Sequence, residues 1–225
     1  MCFLSTVFHL CADFKNRNQD RTMKRQLEYF TIDEAVGGNQ EWFRNVVMYM
    51  GGCAAATACD CCIYFARQGE EHLYPYDIQN LTKEDYIQFG MKMKPYIRPR
   101  VGGVKKLSMF IEGFSRYLAD RGEKCLAMRG FDGSESAEKA AAVIKMQIDR
   151  GLPVPYLMLR HQNPEYKDFV WHWFLCYGYE ETEHSFRIDV ATYGESAALD
   201  LADLWNTGCE EKGGLILFER RDQKE

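Results

Sequence analysis

The sequence predicts an α+β fold, and three observations point there. Apolar residues recur at helical spacing through about the first two-thirds of the chain. Runs rich in β-branched and aromatic residues, separated by turn formers, occupy the remainder. The 225 residues are 46% hydrophobic, which is enough to bury one substantial core.

Residues 1–25 read as a loose N-terminal extension and 26–225 as a single domain. The stretch 13–25, FKNRNQDRTMKRQ, is polar and poor in core formers, although Met23 already opens a stretch that reads as folded protein. The apolar start, Met1 to Ala12, lacks a preceding basic residue and is interrupted by His9, which argues against a signal peptide. Trp42, Phe43, Val46, Val47 and Met50 then follow a helical period until Gly51-Gly52 breaks it. Residues 53–67, CAAATACDCCIYFAR, contain no Gly or Pro and are rich in Ala, so they predict a helix whose small side chains let it lie close to other backbone. Thr82 with Asp85 resembles a capping signal, a stripe from Leu107 to Leu118 predicts an amphipathic helix, and another helix is expected over 136–150 with Gly151 as its stop. Strands are expected at 154–160, 169–179, 185–192 and 214–219, forming one antiparallel sheet that faces the helical part across a groove.

Cys53 stands where a glycine-containing loop enters a helix. The helix dipole and unpaired backbone N–H groups there would lower a thiol pKa and could hold an oxyanion. A small buried hydrophobe at a helix start is the competing reading of a lone cysteine. His172 falls within the predicted strand VWHWFLCYGY, on the face opposite Trp171 and Trp173, where a rigidly aimed imidazole could serve as base. A satisfied core histidine is the competing reading. Asp189, in FRIDVATYG, is the candidate for orienting the imidazole or else a surface acid, since strand register is not visible in sequence.

In this order, Cys53 at a helix start, a PVP-type strand at 153–155, His172 opening HWFLCYGY and an acid in the following strand, the chain resembles the papain-like cysteine peptidase superfamily. It is most similar to the branch that removes double-glycine leaders from bacteriocins, on GGCAAATA and the run from His172 to Tyr179. The resemblance implies a papain-like α+β domain, its N-terminal helical part carrying the Cys helix against a C-terminal antiparallel sheet. It also implies a thiol hydrolase that forms an acyl-enzyme on peptide or isopeptide bonds. The family usually places Gln a few residues before the nucleophile to complete the oxyanion hole; here Asn45 and Gln40 are the candidates, eight and thirteen residues upstream. ATYG at 191–194 resembles the family's Asn-Ser-Trp-Gly and puts Ala191 where the orienting Asn belongs, which leaves Asp189 to substitute.

No cofactor or metal is expected. Cys59, Cys61 and Cys62 lie around one helix at angles that cannot converge on a tetrahedral ion. Formal net charge is -5 with the basic residues scattered among acids, so neither nucleic acid nor an anionic membrane is an expected partner. The expected partner is a peptide or acyl substrate. Nine cysteines, an odd number, fit a reducing compartment better than a disulfide framework, and a cytoplasmic location follows as the expectation. Amidase, thioesterase and acyltransferase chemistry would use the same apparatus, and a papain-like binding module without turnover is the alternative from another class.

Overall fold

The protein is described here by a computed structural model covering residues 22–100 and 102–221. Three short strands come first: β1 (Met23–Gln26), β2 (Thr31–Ile32) and β3 (Ala35–Val36). The helical part follows as α1 (Val46–Gly51), α2 (Cys53–Arg67), α3 (Lys83–Met93) and α4 (Leu107–Asp120). After β4 (Leu126–Asp132) and α5 (Ala137–Asp149) come β5 (Val154–Met158), β6 (His172–Glu181), β7 (Phe186–Thr192) and β8 (Glu195–Asp200). The short α6 (Leu201–Trp205) and β9 (Gly213–Arg220) complete the chain. The fold is α+β, with an antiparallel sheet ordered β4-β9-β5-β6-β7-β8.

The first domain boundary needs correction. Residues 23–25 are not part of an extension, because β1 pairs antiparallel with the far end of β6, Met23 opposite Glu181 and Gln26 opposite Gly178. Polar side chains suit this short peripheral strand, whose four residues are all exposed, and so it carries no hydrophobic signal. Residues 1–21, which held most of the expected extension, lie outside the described residues.

The helix expected from Trp42 also divides. Gln40–Trp42 is a 3-10 turn, Phe43 is extended, and Asn45 caps α1 by accepting from the Met48 N–H at 3.2 Å. A side-chain cap at Asn45 starts a new helix and so breaks the upstream period. Apolar residues of α1 stay outside the core: Val46 is 67% and Met50 77% exposed.

Burial of α2 organises the interior. Every residue from Cys53 to Ala66 is buried, with β6 packed on one side and α3 on another. Alanine and cysteine at most of these positions allow the close approach that larger side chains would prevent. The α3 cap is the expected one, Thr82 Oγ1 accepting from the Asp85 N–H at 3.1 Å. Trp173 on β6 stacks on Phe110 of α4, with ring centroids 4.5 Å apart, and its Nε1 donates to the Val104 carbonyl at 2.6 Å. That bond fixes the end of the 94–106 connection to the sheet. Trp173→Phe would leave the buried Val104 carbonyl without its donor and is expected to cost about 1–3 kcal/mol in urea unfolding. An unchanged midpoint would show that the bond contributes nothing to stability.

Candidate active site

Cys53 is the first residue of α2 and follows Gly52, whose backbone approaches Met48 so closely that a Cβ would lie 2.4 Å from the Met48 carbonyl oxygen. The glycine is therefore required by the junction of α1 and α2, and this junction sets Cys53 at the helix start. His172 is the first residue of β6 rather than a mid-strand position. Trp171, just before it, has a left-handed φ of 56° and is 43% exposed, so the two tryptophans do not flank His172 in one regular strand as the alternation predicted.

Cys53, His172 and Gln40 line one narrow space of about 10 Å³, too small for more than a single water, and all three also face a larger groove beside it. The two most specific sequence candidates are thus brought together, and Gln40 joins them. Its Nε2 donates to the Tyr49 carbonyl at 2.6 Å and, among the described residues, its second hydrogen is uncommitted and its buried Oε1 has no partner. Asn45 is placed otherwise. Its Oδ1 caps α1 and also accepts from Lys94 Nζ at 3.1 Å, and Asn45 lines neither space.

Asp189 does not reach His172. It pairs with Gly178, six positions along β6 from His172, a separation of roughly 20 Å at strand rise. A register shift between Cys176 and Gly178 interrupts simple alternation, and the Asp189 carboxylate accepts from Gln26 Nε2 at 2.7 Å. Its role is to bind β1 to the sheet. The partner of the imidazole is Thr192, whose Oγ1 lies 2.6 Å from His172 Nε2. Tyr193 stacks on the imidazole with centroids 4.6 Å apart and rings within 5° of parallel, and its hydroxyl stands 3.4 Å from Nδ1. Tyr193 holds a φ of 53°, a strained value for a bulky residue, and it is followed by Gly194 at φ 75°. Thr192 and Tyr193 were missed as individual residues, although ATYG had been singled out as a segment.

Asp60, one helical face down α2 from Cys53, is a further group that motif reasoning passed over. Its carboxylate is buried and accepts from Tyr29 and Tyr86 hydroxyls, each at 2.8 Å, and from the Gly38 N–H at 3.3 Å. Gly38 has no room for a side chain, since a Cβ would fall 1.8 Å from the Tyr86 ring. The segment leading to Gln40 is also tied to the turn after Thr192. Gly194 N–H donates to the Gly38 carbonyl at 3.0 Å, and Asn39 Nδ2 donates to the Tyr193 carbonyl at 2.8 Å.

The electrostatics correct one expectation. Burial pushes the Cys53 thiol pKa up, outweighing the backbone N–H groups of Trp173, Ala54 and Cys53 itself, which pull it down. Burial also draws His172 down to about 4. Both shifts favour the neutral form at neutral pH. Asp60 is pushed up to about 6 by burial, against the hydrogen bonds from Tyr29, Tyr86 and Gly38.

No protein-family model matches the chain, and no curated protein matches it. Among solved structures it is similar to the crystal structure of the Pseudomonas avirulence protein AvrPphB, at 12% identity, covering 84% of this chain and 97% of that one with a TM-score of 0.37. Among the described residues no helix is long and apolar enough to cross a membrane.

A pH effect on stability follows from these groups. Between pH 6.5 and 4 the unfolded His172 binds a proton that the native one refuses, so its contribution is full above 6.5 and lost as pH falls toward 4. Wild type should lose up to about 3 kcal/mol relative to His172→Gln across that window in denaturant titrations. Asp60 acts in the opposite sense, its contribution present below 3.8 and lost as pH rises through about 6, so the wild-type profile is flatter than that of either single variant. A stability difference between wild type and His172→Gln that does not change with pH would mean that His172 titrates normally.

Proposed function

We propose that the protein is a cysteine hydrolase of the papain-like type, acting on peptide or isopeptide bonds through an acyl-enzyme. The observation that carries this reading is the convergence of Cys53 Sγ at a helix start, the His172 imidazole and the Gln40 side chain on one small space at the foot of a groove. GGCAAATA at the nucleophile and the run from His172 to Tyr179 support its placement beside the double-glycine-leader peptidases.

In this reading Nε2–H donates to Thr192, which leaves the lone pair of His172 on Nδ1. Nδ1 takes the thiol proton as Sγ bonds to the carbonyl carbon, and the carbonyl electrons move onto oxygen. The backbone N–H of Cys53 and the free Gln40 amide hydrogen face that oxyanion. Collapse breaks the bond to the leaving nitrogen, which receives the proton from His172, and water then releases the acyl group by the reverse sequence. A neutral pair makes the first proton transfer uphill unless it accompanies bond formation, so reactivity belongs to the bound substrate more than to the resting thiol. Thr192 is a positioning residue, and no carboxylate takes that role.

The same neutral pair favours a second reading, a papain-like binding module without turnover, because a buried thiol with a raised pKa is a poor resting nucleophile. Labelling with an acyl-transferring peptide probe separates the two. The hydrolase is expected to acquire the acyl group on Cys53. Labelling should be abolished in His172→Ala, slowed roughly 100-fold or more in Gln40→Ala, and slowed about tenfold in Thr192→Val, which loses one hydrogen bond. Labelling of Cys53 that is absent, or that is indifferent to His172→Ala, would establish the binding-module reading instead.

A further inference from the structure

The groove beside Cys53 measures about 660 Å³ and has an unusual wall. Val46, Val47 and Met50 of α1 face it, with Trp171 opposite, and all four side chains are substantially exposed. Gly102 and Gly103, at φ 85° and 72°, leave another stretch of wall bare. An apolar ligand entering here would cover hydrophobic surface that nothing in the described fold covers.

Charge distinguishes the two ends of the site. Arg100 is the one cation among the described residues that lines the apolar groove; it belongs to a stretch, 86–111, with no Asp or Glu, whose Lys105 and Lys106 border a separate cleft beside Asp132, Glu210 and Glu211. Among the described residues none of these cations forms a salt bridge. In a chain of net charge -5 this is a marked local excess. On the other side of Tyr193 lies a second cleft of about 500 Å³, bordered by Glu41, Asp168 and Glu195. These three carboxylates are exposed and, among the described residues, also unpaired. Tyr193 borders both clefts, and its hydroxyl pKa is pushed up to about 12 by burial first and then by Cys53, Glu41 and Asp168. His172 and Gln40 line the apolar groove, and the buried Gln40 Oε1, without a partner among the described residues, is an acceptor that a substrate amide N–H would satisfy.

We propose that the site reads a bipolar polypeptide: an apolar residue flanked by acidic side chains lies along α1 and Arg100, and a basic segment lies across the Glu41, Asp168 and Glu195 side. This assignment rests on the hydrolase reading for the bond that is cut, but not for binding. An extended peptide fits because it can place an apolar anchor, a central amide and two opposite charges in one line, and opposed potentials fix its direction and suppress reversed binding.

Binding is tested in Cys53→Ala, where turnover is irrelevant, by fluorescence anisotropy of labelled peptides of equal length. One carries Leu-Val flanked by acidic residues and followed by lysines, one has the reverse order, and a control has the charges replaced by serine. One of the two bipolar peptides should bind roughly tenfold or more tighter than both the other and the control, with an affinity that falls as salt rises. Arg100→Glu should remove most of that advantage, as should the pair Glu41→Lys and Glu195→Lys, and Trp171 emission should shift on binding. Equal affinities for all three peptides, or an advantage unaffected by either charge reversal, would overturn the assignment. Because the acyl-probe experiment reads chemistry at Cys53 and this one reads binding without it, failure of one is distinguishable from failure of the other.

Discussion

The rest of the structure depends on the burial of α2 from Cys53 to Ala66. A helix made largely of alanine and cysteine can lie against β6 with its backbone close to the sheet, and its first residue then lines the same small space as the first residue of β6. Cys53 and His172 are adjacent because two element starts coincide. The same burial decides the chemistry. A thiol and an imidazole both taken from water resist charging, and the N–H groups at the helix start oppose this only in part.

Asp60 extends that constraint to the remaining parts of the site. A buried carboxylate needs donors, and it finds them in Tyr29, Tyr86 and the Gly38 N–H. Through Gly38 it anchors the segment that presents Gln40, and through the Gly38 carbonyl and Asn39 that segment holds the Tyr193-Gly194 turn. The Cys53 helix, the segment carrying Gln40 and the turn that supports the imidazole are therefore one hydrogen-bonded unit, with the strained Tyr193 at its edge. Strain of this kind persists where surrounding contacts over-determine the backbone.

Much of this was legible in the sequence. Gly51-Gly52 before an alanine-rich stretch located α2 and Cys53, the run from His172 to Tyr179 located β6, and Thr82, Ser136 and Gly151 marked helix ends through local chemistry. Elements lacking a hydrophobic period were not legible. The strands β1 and β8 are largely exposed, and β4 has no clean alternation. The helical spacing before Gly51 did not reveal that Val46, Val47 and Met50 line the groove, since periodicity reports a common face and not what covers it. Asp189 failed for a related reason: its position depends on a β-bulge and on pairing with β1, both long-range features. Gln40 was found because the family resemblance implies a Gln upstream of the nucleophile, but Thr192 could not be ranked above its neighbours without the register.

The central claim is that burial keeps the Cys53 and His172 pair neutral until substrate arrives. Nitrogen-15 NMR of the His172 ring at neutral pH, in wild type and in Cys53→Ala, tests it most directly. The account predicts a neutral imidazole in both proteins, with the hydrogen on Nε2 and titration near pH 4. An imidazolium in wild type that becomes neutral when Cys53 is removed would reveal a preformed ion pair and contradict it.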